Sequence, residues 1–113
     1  MYTIEQHFTN KSENVRQIYD HLIESLNQFG VIEIEAKKTS LHLVNRTALA
    51  GVYTRKNYIN LNIKTDYPLD NPRIRKSEKI SANRYHHELR LESVTDVDTE
   101  LMGWLKDAYI LSQ

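Results

Sequence analysis

The densest run of chemically capable side chains lies between Asn71 and His87. Arg73, Arg75, Lys76 and Lys79 are interrupted by one acid, Glu78, and are followed by Arg84, Tyr85, His86 and His87. Cationic side chains neutralise phosphates and a tyrosine ring stacks on a base, so this stretch could grip nucleic acid. Arg55, Lys56 and Tyr58, with Arg90 further on, form a second group of the same kind. The same charges would serve equally as a solvated loop with no ligand. His86-His87 invites a metal, but neighbouring residues of a strand point to opposite faces, so one ion cannot take both. No ligand spacing joins them to His42, His21 or His7, and no metal or other cofactor is expected. Glu88 and Glu92 with His86, or Glu33 and Glu35, could do acid–base work on a small molecule if a cleft raised a carboxyl pKa. No nucleophile elbow, phosphate loop, zincin helix or dinucleotide fingerprint occurs, so a binding role is favoured over an enzyme.

These side chains have to be held by a small number of elements. Val15, Ile18, Tyr19, Leu22, Leu26 and Phe29 recur at helical spacing and predict a helix from about Glu13 to Gln28. Ser12 is its expected N-cap, and Gly30 suits the left-handed position after its last turn. The period then drops to two. Ile32, Ile34 and Ala36 predict one strand, Leu41 and Leu43 a second, and Leu49 to Tyr53 a third with Gly51 inside it. Ile59, Leu61 and Ile63 predict a fourth, and turn-length gaps imply antiparallel pairing. Pro68 and Pro72 open an expected loop reaching about Asn83, followed by a fifth strand through His87, Leu89 and Leu91. Thr95 reads as the cap of a final helix, with Asp98 completing a capping box. Val97, Leu101, Trp104, Leu105 and Ala108, with Tyr109 beside them, form the stripe of that helix. The expected fold is therefore α+β, in the order α-β-β-β-β-β-α, with both helices on one sheet face. Tyr58, Asn60, Asn62 and Lys64 would then line the other face, where a partner or a second copy could dock.

A chain of 113 residues has room for one core and is read as a single domain, 1–113. Without cysteine it has no disulfide, no thiolate nucleophile and no thiolate metal site. Fifteen Lys and Arg balance fifteen Asp and Glu, which argues against a dedicated nucleic-acid binder but leaves room for a local basic patch. No apolar run is long enough to span a bilayer, and Met1 to Phe8 lacks the apolar core of a signal peptide, so the cytoplasm is the expected location.

Ile4-Glu5-Gln6-His7-Phe8 ahead of a helix resembles the opening of an uncharacterised bacterial domain family often labelled "predicted transport protein". Tyr53-Thr54-Arg55-Lys56 before Leu61-Asn62, and Asp70-Asn71-Pro72-Arg73, resemble it as well. So do Glu88-Leu89-Arg90-Leu91-Glu92-Ser93 before Asp96-Val97-Asp98, and Leu105-Lys106-Asp107-Ala108-Tyr109. The likeness runs through nearly the whole chain, and its motifs are caps, strands and core positions. It implies an accessory or recognition role, since the domain looks like an attachment in longer relatives, sometimes behind a nuclease-like domain. It carries over no catalytic residue.

Overall fold

The computed structural model describes residues 1–113. A 3-10 turn, Glu5–Phe8, leads into helix α1, Glu13–Asn27. Strands β1 (Glu33–Ala36), β2 (Leu41–Val44), β3 (Ala48–Thr54) and β4 (Ile59–Thr65) follow as an antiparallel meander. Strands β5 (Ile74–Ser81) and β6 (Arg84–Leu91) form a hairpin, and after a 3-10 turn at Val94–Asp96 the helix α2, Thr99–Leu111, completes the fold. The six strands make one sheet in the order β1-β2-β3-β4-β6-β5. The α+β class and both helices stand as the periodicity predicts.

The sheet has one strand more than expected. Residues 74–81, assigned from sequence to a loop, form β5 at the edge of the sheet, paired only with β6. A single side chain on β5, Ile74, packs against the core, and the residues from Arg75 to Ser81 are exposed. No alternation of polar and apolar residues is needed where neither face is covered, so this strand leaves no period-two signal. Its lysines also suit an edge, because charge discourages further strand pairing.

Both helices lie on one face. From α1, Val15, Ile18, Tyr19, Leu22 and Leu26 are buried, and from α2, Leu101, Leu105, Ala108 and Tyr109. They meet the inward residues Leu41, Leu43, Ala50, Val52, Ile59, Leu61, Ile63, Leu89 and Leu91 in one cluster. Full burial of each Val, Leu or Ile contributes about 1.5–3 kcal/mol, so the stripe of α1 fastens that helix far more firmly than helix propensity could.

The helix ends differ in detail from expectation. Ser12 has the extended backbone of an N-cap, but its hydroxyl caps nothing; its N–H donates to the Lys56 carbonyl at 2.8 Å, tying α1 to the β3–β4 turn. Thr95 is not a cap. It sits in the 3-10 turn, and Asp98 caps α2 by accepting from the Leu101 N–H at 3.0 Å. The intervening Val97 has a non-helical backbone, so no helix runs through it. Gly30 does have positive φ, and a side chain there would collide with the Tyr109 hydroxyl, so α2 can approach the end of α1 only over a glycine.

Candidate functional site

The helices leave one face of the sheet bare. Cross-strand partners place Glu35, His42, Gly51, Asn62, Glu88 and Lys76 in a single row across all six strands of that face. On one side of this row stand Lys64 and His86, which are partners, with Glu78 opposite His86. On the other side stand Tyr53, Asn60 and Arg90, also in register. The alternation that sends Ile59, Leu61 and Ile63 inward sends Asn60, Asn62 and Lys64 outward. The middle of the face holds a shallow cleft of about 250 Å³ over Gly51, bordered by His42, Tyr53, Asn62, Lys64 and His86.

The residues singled out by sequence divide into three groups. Tyr58 and Arg90 come together, the guanidinium lying 4.1 Å from the ring centre, a cation–π contact. Arg55 and Lys56 project from the adjoining turn and are exposed. Around the β5–β6 hairpin, Arg75, Lys76 and Lys79 are exposed and Arg84 half-buried, with Lys79 lying 5.9 Å from the Tyr85 ring. His86 lies on the bare face, where burial and the neighbouring Lys64 push its pKa below the ordinary histidine value.

Arg73 stands apart. Its Nη1 donates to Asp98 at 2.9 Å and to Glu100 at 3.1 Å, its Nη2 to the Asp96 carbonyl at 2.7 Å, and the fork lies over Trp104. Burial opposes its charge, yet these bonds prevail and hold its pKa above the usual guanidinium value. Asp98 answers in kind: burial would raise its carboxyl, but the Leu101 N–H and Arg73 hold it below the usual range. Arg73 thus staples the approach to β5 onto α2.

Glu88 shares the bare face with His86, while Glu92 lies beyond the end of β6, and neither glutamate borders the cleft. His87 points the opposite way from His86, as alternation requires, and is fully buried. Thr65 donates its hydroxyl proton to the Tyr67 carbonyl, so its oxygen accepts from His87 Nε2–H at 3.0 Å. That leaves Nδ1 to accept from the Ser77 hydroxyl at 2.8 Å. The ring is neutral in this arrangement, since burial depresses its pKa more than the Tyr67 carbonyl raises it. Sequence reading missed this link because it needs both β5 and the β4–β6 pairing to exist.

The pattern of the family described as a domain of unknown function, DUF5655, matches residues 4–112, a span that takes in both helices and all six strands. The chain belongs to the DUF5655 family. No curated protein and no solved structure matches it. No helix of this DUF5655 domain is long and apolar enough to cross a membrane.

The charges of the DUF5655 domain sum to zero but are not evenly spread. Residues 54–92 carry nine Lys and Arg against five Asp and Glu. Of those nine, only Arg73 is ion-paired. The balancing acids gather mainly on and around the helices, at Glu5, Glu13, Asp20, Glu24, Asp96, Asp98, Glu100 and Asp107. The sheet end built from β4, β5 and β6 is therefore the cationic side of a neutral molecule.

Proposed function

We propose that this DUF5655 domain is a non-catalytic binding module that contacts single-stranded nucleic acid through its bare sheet face and the adjoining β5–β6 hairpin. One observation carries the reading: Lys64, Lys76, Arg84 and Arg90, none of them ion-paired, stand on a bare face that also presents Tyr53 and Tyr58, with Arg55 and Lys56 in the adjoining turn. Unpaired cations release counterions from a phosphate backbone, and an aromatic on an open sheet offers bases a platform. A flat face of this kind suits unstacked bases better than the grooves of a duplex, which are entered by a helix or a ribbon.

Fluorescence anisotropy with labelled single-stranded DNA and RNA and a duplex control, across a salt series, tests this. Binding is expected to weaken linearly in log salt, with a slope of about 0.7 per phosphate contacted. K64A, K76A and R90A should each lower both affinity and slope, while K106A, on α2 across the sheet from the bare face, should not. Absence of binding at low salt would overturn the reading, and a concentration-dependent dimer seen by light scattering would then assign the bare face to a second copy of the chain.

A further inference from the structure

We infer that the cleft over Gly51 is the seat of one unstacked nucleotide, its base lying against Gly51 and Tyr53 and its phosphate between Lys64 and His86. This rests on the nucleic-acid reading above and adds to it a defined subsite.

The argument begins with Gly51. A glycine inside a strand loosens it and forgoes a packing side chain, so its presence at the centre of β3 calls for a cause. The backbone does not supply one: Gly51 lacks the positive φ found at Gly30. Nor does crowding, since an added Cβ would meet only the Tyr53 ring, at 3.4 Å, an ordinary contact. What the missing side chain does provide is the hollow. Gly51 is flanked in register by His42 on β2 and Asn62 on β4, and Tyr53 leans alongside it. A planar ring fits such a floor, as it needs close backbone approach on one side and an aromatic beside it.

The walls suit the rest of a nucleotide. The Asn62 side chain makes no hydrogen bond within the protein, and its amide offers one donor edge and one acceptor, the pair that complements a base edge. Lys64 has no ion-pair partner, and its cross-strand neighbour His86 sets a second nitrogen-bearing group beside it. No acidic side chain borders the cleft; the nearest carboxylates in register, Glu35, Glu78 and Glu88, stand outside it. An anion is therefore favoured there over a cation.

Heteronuclear NMR on the full chain, titrated with nucleoside 5′-monophosphates and in parallel with the free nucleosides and inorganic phosphate, tests the assignment. The expected result is saturable shifts at Gly51, Tyr53, Asn62 and Lys64, strongest for the complete nucleotide. G51V, a residue well suited to a strand, should keep the fold by thermal melt yet weaken nucleotide binding by about tenfold, the order of a lost base stack. K64A should lose the phosphate's share while retaining weak nucleoside binding. Unchanged affinity in G51V, or shifts mapping elsewhere, would overturn the subsite. Oligonucleotide binding without cleft shifts would remove the subsite alone. Cleft binding of mononucleotides without oligonucleotide binding would instead remove the broader reading and keep the subsite.

Discussion

Replacing Arg73 with alanine should destabilise the domain, and the size of the loss can be worked from the contacts. The side chain is 24 % exposed and its partners Asp98 and Glu100 are each 46 % exposed. A fully made charge-assisted bond contributes about 1.5–3 kcal/mol. Half-exposed, screened carboxylates pull the two ion pairs toward the surface value of about 0.2–1 kcal/mol each. The bond to the Asp96 carbonyl and the contact with Trp104 add about 0.5–1 kcal/mol apiece. The sum spans about 1.4–4 kcal/mol, and a conservative value is about 2 kcal/mol. With an unfolding entropy of about 2.1 cal/mol/K per residue over 113 residues, that lowers the melting temperature by about 8 °C. Circular dichroism melts of R73A and R73K against the parent are the assay. R73K keeps the charge but not the fork, and should recover about half of the loss. If R73A melted within about 2 °C of the parent, Arg73 would be no staple and the reasoning would fail. The result bears on function as well, because a variant that loosens α2 cannot separate lost binding from lost structure. Lys64, Lys76 and Arg90 make the cleaner probes.

Stability should also fall as the solution is acidified below about pH 6.5, the ordinary histidine value. His87 and His86 both have depressed folded-state pKa values, so the unfolded chain binds protons first, and the stabilisation present at pH 7 is lost through and below that range. Urea unfolding at pH 7 and pH 5 should show the fall in the parent, at most about 1.4 kcal/mol per pH unit for each histidine, and a shallower one in H87Q. An equal slope in H87Q would refute the buried neutral ring. G30A should cost about 1–3 kcal/mol by thermal melt, since the new Cβ meets the Tyr109 hydroxyl in a backbone region that side chains avoid. Y109F should reduce that cost, and identical costs in both backgrounds would show that the collision is not its source.

What was readable in the sequence, and what was not, follows from which residues have to be buried. Ile59, Leu61 and Ile63 alternate because one face of β4 meets the helices, and the same holds for Leu89 and Leu91. The stripe of α1 was legible for the same reason. β5 escaped because an exposed edge strand has no apolar side to declare. Its hairpin with β6 turns at Ala82 and Asn83 without glycine or positive φ, so the usual hairpin signal is missing too. The cationic residues were found as a cluster, yet their division could not be foreseen. Arg73 is drawn to α2 by acids twenty-five or more positions away, and Lys64 meets His86 only through the β4–β6 pairing. Asn62 and Lys64 are placed on the bare face by their alternation with Ile63, whereas His42 and Gly51 join them by register alone.

The strand order also shapes how the chain must be made. β6 lies between β4 and β5 and pairs with both, although it is the last of the six strands to be synthesised. Until residues 84–91 have left the ribosome, β4 presents a bare edge carrying Ile59, Leu61 and Ile63, and β5 has no partner at all. The helix that seals β3 and β4 emerges later still. Nascent chains interrupted before Arg84 would therefore display a sticky hydrophobic rim, the surface that chaperones hold and proteases clear. Emergence of residues 84–111 closes that edge and covers the inward face of β3 and β4.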